Sequence, residues 1–171
     1  ITTFVQPIHT FNAGLQIITV PYNYNGASLS SIFSPSPTLA AWNTTGGNYE
    51  VTPQTLANSI APGQGYWVRV SSSLSLLSAG TSTPPSTTPF GVTLNAGWNL
   101  IGDPFIAPVL LSGCTVTDAN NNTMDFVAAE THGLIGPDLY TYDPSILGYD
   151  TLTQASTVQP FTGYWMYAYS P

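Results

Sequence analysis

Two halves of the chain carry the same short blocks in the same order, and this internal repeat limits the possible folds more than any other feature of the sequence. Phe11-Asn12-Ala13-Gly14-Leu15-Gln16-Ile17-Ile18 matches Leu94-Asn95-Ala96-Gly97-Trp98-Asn99-Leu100-Ile101, and the same offset carries Val20-Pro21-Tyr22 onto Asp103-Pro104-Phe105. Each copy therefore opens with an Asn-Ala-Gly turn, a short apolar run and a proline stop. A middle block pairs Trp42-Asn43 and Gly46-Gly47-Asn48-Tyr49 with Tyr142-Asp143 and Leu147-Gly148-Tyr149. A closing block pairs Pro62-Gly63-Gln64-Gly65-Tyr66-Trp67-Val68 with Pro160-Phe161-Thr162-Gly163-Tyr164-Trp165-Met166. Runs rich in β-branched and aromatic residues, bounded by glycine, proline and asparagine, read as strands at 16–20, 65–70, 97–101 and 163–169.

With 15 glycines and 15 prolines among 171 residues, long helices are disfavoured and a turn-rich sandwich or barrel is expected. The fold class that follows is all-β, as two tandem β-sandwich-like domains. The expected divisions are an arm at 1–7, a first domain at 8–78, a Pro/Thr/Ser linker at 79–89 and a second domain at 90–171. A turn or two of helix is expected at 53–59 and 125–130. The second copy carries extra residues at 112–136, which read as loops rather than core.

Charge narrows the function. Only 5% of residues are charged, where about a quarter is usual. Arg69 is the sole lysine or arginine, and the formal net charge is −7. Neutralising phosphates is out of reach for such a chain, so nucleic acid is excluded as a partner, and so are anionic membrane surfaces. No apolar run approaches the roughly 20 residues of a spanning helix, so no membrane insertion is expected. A surface solubilised by serine, threonine and asparagine suits a secreted, extracellular or cell-surface protein, and the chain reads as the mature form of one. Cys114 stands alone among apolar neighbours and is expected to act as a small core residue.

At this point Ala96-Gly97-Trp98-Asn99-Leu100-Ile101-Gly102-Asp103-Pro104-Phe105, together with Gly163-Tyr164-Trp165, resembles a domain that recurs, often in tandem, in secreted bacterial surface proteins. The resemblance runs over most of the chain and implies a non-enzymatic extracellular module. Copy one departs from the motif, with Leu15-Gln16 in place of Trp-Asn.

Candidate sites are few, and none is catalytic. Trp67, Trp98 and Trp165 are expected in the core, because their repeat partners are apolar or aromatic. Trp42 and its counterpart Tyr142 are the candidates for stacking on a glycan. Asp118, Asn120, Asn122 and Asp125 space oxygens at alternate positions, as calcium loops do. The segment lacks the glycine and the closing glutamate of such a loop, so a solvated turn is expected and no metal. Glu130, His132 and Asp138 have no counterpart in copy one and no partner nucleophile. Asn43 and Asn121 begin N-glycosylation sequons. No cofactor is implied. In the apolar arm, Ile1, Phe4 and Val5 are suited to adding a strand to a neighbouring copy. The functional expectation is a non-catalytic structural subunit of a surface filament or coat, with copies of itself as partners. The alternative is a carbohydrate-binding or adhesion module of a larger secreted protein.

Overall fold

The computed structural model describes residues 8–82 and 88–171, and the protein it shows is all-β. The arm with Ile1, Phe4 and Val5 lies outside the described residues, as does the middle of the 79–89 segment. Within that segment, Thr81–Ser82 pairs with Tyr22–Asn23.

Eight strands make the two principal sheets: β1 (Gly14–Thr19), β2 (Leu39–Asn43), β3 (Asn48–Val51) and β4 (Gly65–Val70), then β5 (Gly97–Gly102), β6 (Ile135–Asp143), β7 (Gly148–Leu152) and β8 (Gly163–Ala168). The strand order is β1-β4-β2-β3 in the first sheet and β5-β8-β6-β7 in the second, antiparallel throughout. The Asn-Ala-Gly turns have a specific role. Gly14 and Gly97 open β1 and β5 at φ +116° and +107°, a region closed to most side chains, so the turn needs glycine at that point. In β6 the register with β8 shifts between Ile135 and Leu139, where Pro137 has no N–H to give the ladder.

Alternation along the strands sends one face of each sheet into its own core. In the first half Ile18, Leu39, Ala41, Tyr66 and Val68 pack with Phe11, Phe33, Leu74 and Leu76, which come from a second, three-stranded sheet. In the second half Leu139, Tyr164 and Met166 pack on Leu111, Phe126, Ala129 and Ile135. Phe126, Ala129 and Ile135 overturn the reading of 112–136 as loop. The segment forms a hairpin (Thr115–Thr117 with Thr123–Asp125) and the helix Phe126–Thr131, whose apolar side supplies the covering layer that a three-stranded sheet supplies in the first half. Asp125 caps that helix by accepting from Ala128 N at 2.7 Å. The other helical expectation, at 53–59, is a single 3-10 turn over Thr55–Ala57. Cys114 is half-buried at the edge of the second core.

The opposite faces of the two sheets meet each other. Ile18 bridges to Thr162 and Gln64 to Ile101 in antiparallel fashion, and Gly102 N donates to Gly63 O at 3.0 Å while Thr19 N donates to Phe161 O at 3.3 Å. Gly65, Gly102 and Gly163 make this close approach possible, since an added Cβ would run into the Ile101 carbonyl, the Thr19 side chain and the Ile17 side chain respectively. Beyond this glycine contact the sheets are separated by aromatic rings, and a cleft opens.

Candidate functional site

Trp42 on β2 and Trp165 on β8 lie with ring centroids 5.6 Å apart, at 77° to each other. Tyr49, directly across from Trp42 in the β2–β3 register, sits 4.9 Å from Trp42 and 6.4 Å from Trp165. Trp98 on the edge strand β5 adds a further wall, 6.3 Å from Trp165 and 5.8 Å from Tyr140. With Tyr149 and Thr151 these rings line a cleft of about 710 Å³. Its volume lies within the ~300–1,000 Å³ typical of small-ligand sites. Neither a charged side chain nor a cysteine lines it.

The rings are presented to solvent as well as to each other: Tyr49 is 45% exposed, Trp98 43% and Tyr149 51%. Trp98 is therefore not the core residue expected of it. The cause is its place on an edge strand, on the face that does not enter the core, and its counterpart Leu15 is exposed for the same reason. Trp67 and Trp165 are half-buried between the sheets. Of the two stacking candidates, Trp42 lines the cleft. Tyr142 packs against Trp67 at 5.3 Å and is not among the lining residues.

A second, polar compartment of about 390 Å³ shares Trp42 as a wall. Much of its polarity is spent on structure. Asn99, buried, accepts from Asn95 N and donates to Asn95 O and Gly97 O, locking the turn before β5. Thr44 donates to Trp98 O at 2.9 Å, tying the two sheets together beside the cleft. Asn43 donates to Glu50 Oε1 and accepts from Gly46 N, so the amide of the first sequon is engaged in the β2–β3 turn. Asn121 of the second sequon is exposed at φ +64°.

The calcium-like segment is a turn held by its own carboxylate. Asp118 accepts from Asn120 N, Asn122 N and Asn122 Nδ2, and these bonds hold it below the usual carboxylate range. Asp125 is occupied as the helix cap. Glu130 lies in that helix, His132 is exposed at its end, and Asp138 is on β6. Among the described residues, no three of His, Cys, Asp and Glu are grouped so as to hold a metal ion, and no helix is long and apolar enough to cross a membrane.

Asp103, at the proline stop of the second copy, is 1% exposed. Its Oδ1 accepts from Phe105 N at 2.8 Å, and its Oδ2 has no partner among the described residues. Burial pushes its carboxyl up to about 6, opposed by the Phe105 bond. The signal was in the repeat, which sets this carboxylate where copy one has Val20, itself fully buried. Because the folded state holds this proton more tightly than the unfolded chain, the associated stability is full below pH about 4 and is lost as pH rises through about 6. His9, held below its ordinary value by burial, acts in the opposite sense as pH falls. Comparison with Asp103→Asn isolates the carboxyl. From pH 7.5 to pH 5 the parent should gain about 1 kcal/mol more than the variant in urea unfolding, the full shift being discounted for solvent screening. Equal pH profiles would contradict the assignment.

No family model matches this chain, and neither does any curated protein or solved structure.

Proposed function

We propose that the chain is a non-catalytic, extracellular carbohydrate-binding module whose ligand lies in the cleft between the sheets. The observation that carries this reading is the set of half-exposed tryptophan and tyrosine rings lining an uncharged cleft of about 710 Å³. Exposed aromatic area on this scale is costly to leave in water and is the usual mark of a binding site. Sugars match it, because their C–H faces stack on rings while their hydroxyls stay hydrated at the rim. The low charge and the serine- and threonine-rich surface fit a protein that works outside the cell.

A glycan array of the intact chain tests this, with Trp98→Ala alongside. Trp98 is exposed at the cleft wall, so its loss should leave the unfolding free energy within about 1 kcal/mol of the parent while lowering sugar affinity at least tenfold. An array without signal, or binding indifferent to Trp98, would sink the proposal.

A structural role as a filament or coat subunit is the second reading, and one feature favours it. The β6–β7 turn ends in Ile146 and Leu147, 62% and 79% exposed, with Leu147 in the left-handed region at φ +51°. The first sheet has Gly46-Gly47 at the matching turn, with Gly47 at φ +62°. An exposed, strained apolar tip in place of two glycines is suited to contact with another copy of the chain. Leu147→Gly should stabilise the monomer and, on this reading, abolish filaments in electron micrographs.

A further inference from the structure

Resting on the carbohydrate reading, we infer that the site takes a linear, uncharged oligosaccharide rather than a single sugar, running from the aromatic cleft across Trp42 into the polar compartment, and that it rejects acidic glycans. The two compartments share Trp42, and Thr44 anchors the Trp98 carbonyl beside it, so one ligand passing Trp42 meets both. Their chemistry is complementary. The first offers ring faces and one threonine, suited to the C–H surface of a stacked sugar. The second offers hydroxyl and amide groups. Thr45, Thr93 and Asn95 line it, are exposed, and spend no side-chain hydrogen bond on the protein among the described residues. These groups can bind sugar hydroxyls without first breaking a bond within the fold.

Charge sets the exclusion. Glu50 lies in the polar compartment, fixed by bonds from Asn43 Nδ2 and Leu56 N, both at 3.0 Å. Arg69, the one lysine or arginine of the chain, is exposed on β4 and lines neither compartment. A uronate or sialate carboxylate would enter beside Glu50, would find no cationic side chain among the lining residues, and would shed water without recompense.

Calorimetric titration of the intact chain with neutral β-linked gluco-, manno- and N-acetylchito-oligosaccharides of one to six sugars tests this, with oligogalacturonides of the same lengths as the acidic probe. In at least one neutral series, affinity should rise tenfold or more from the monosaccharide to the trisaccharide and then level off, and the oligogalacturonides should bind at least tenfold more weakly. Trp98→Ala should weaken every length. Asn95→Ala and Thr93→Val should leave the monosaccharide unchanged and remove most of the gain with length. If binding depends on Trp98 but is the same for one sugar as for three, or if oligogalacturonides bind equally well, the two-compartment inference fails while the carbohydrate reading stands. If no neutral series binds, both fail.

Discussion

Replacing Gly65 with valine should lower the melting point of the protein by about 10 °C or more. A Cβ at this position would stand 2.7 Å from the Ile101 carbonyl oxygen and 3.0 Å from Leu100 Cγ. The carbonyl is main chain in a strand, and its neighbour Gly102 N is committed to Gly63 O, so neither can turn aside. Relief requires the sheets to part, which breaks the Gln64–Ile101 bridge and lets water between them. Gly163 mirrors the arrangement: a Cβ added there would collide with Ile17 Cγ2 and stand 3.0 Å from the Ile18 oxygen. Overpacking at an immovable contact costs about 3 kcal/mol or more against a total stability of roughly 5–15 kcal/mol. For a chain of this size that is a melting point lower by about 10 °C or more, followed by circular dichroism. Gly91→Ala, where an added Cβ meets nothing within 4 Å, is the control and should melt with the parent. A Gly65→Val protein of parental stability would mean that the sheets do not touch as described.

Trp165→Ala should be the second most damaging change, and it damages two properties at once. The ring is in reach of Trp42, Tyr49 and Trp98, and Trp165 lies between Leu100 and Tyr140 in the β5–β8–β6 register. Deleting it removes the floor shared by the cleft walls, at a cost of about 3 kcal/mol by comparison with other large-to-small changes. On the proposed carbohydrate reading, sugar affinity should fall below detection. Trp165→Phe should keep most of the stability, because a ring still spans the gap. The contrast with Trp98→Ala is the informative part: Trp98 should cost affinity with little stability, Trp165 should cost both. Parental stability in Trp165→Ala would show that the ring belongs to the surface alone.

Strand positions were legible where local chemistry decides them. The Asn-Ala-Gly turns need a positive φ and so announce β1 and β5, and the Gly-Tyr-Trp runs announce β4 and β8, with tyrosine turned inward and tryptophan outward by alternation. The 112–136 segment looks like loop because its composition is polar, although Phe126 and Ala129 fall three residues apart on one side of a short helix and are both buried. The exposure of Trp98 is not legible, because a match between two apolar residues shows that their environments are alike, without showing that they are buried. The cleft was legible only through Trp42. Residues 42, 49, 98 and 165 come from four strands and two sheets, and no local pattern states that their rings converge. Asp103 was hidden likewise, since a carboxylate beside a proline is ordinary in a turn.

The glycine contact between the sheets also bears on how the chain reaches this state. It joins Ile18 to Thr162 and Gln64 to Ile101, so its closing hydrogen bonds require residues of the second half, which leave the ribosome after the first. Until then the first sheet has a core on one face only, and its other face, with Ile17 and Trp67, waits uncovered. Contacts this distant in sequence slow folding, because loop closure is paid before the contact repays it. A nascent first half is thus a transiently sticky intermediate, and its low charge offers little electrostatic protection against self-association. Synthesis rate and chaperone supply, more than equilibrium stability, should set the yield of this protein in a foreign host.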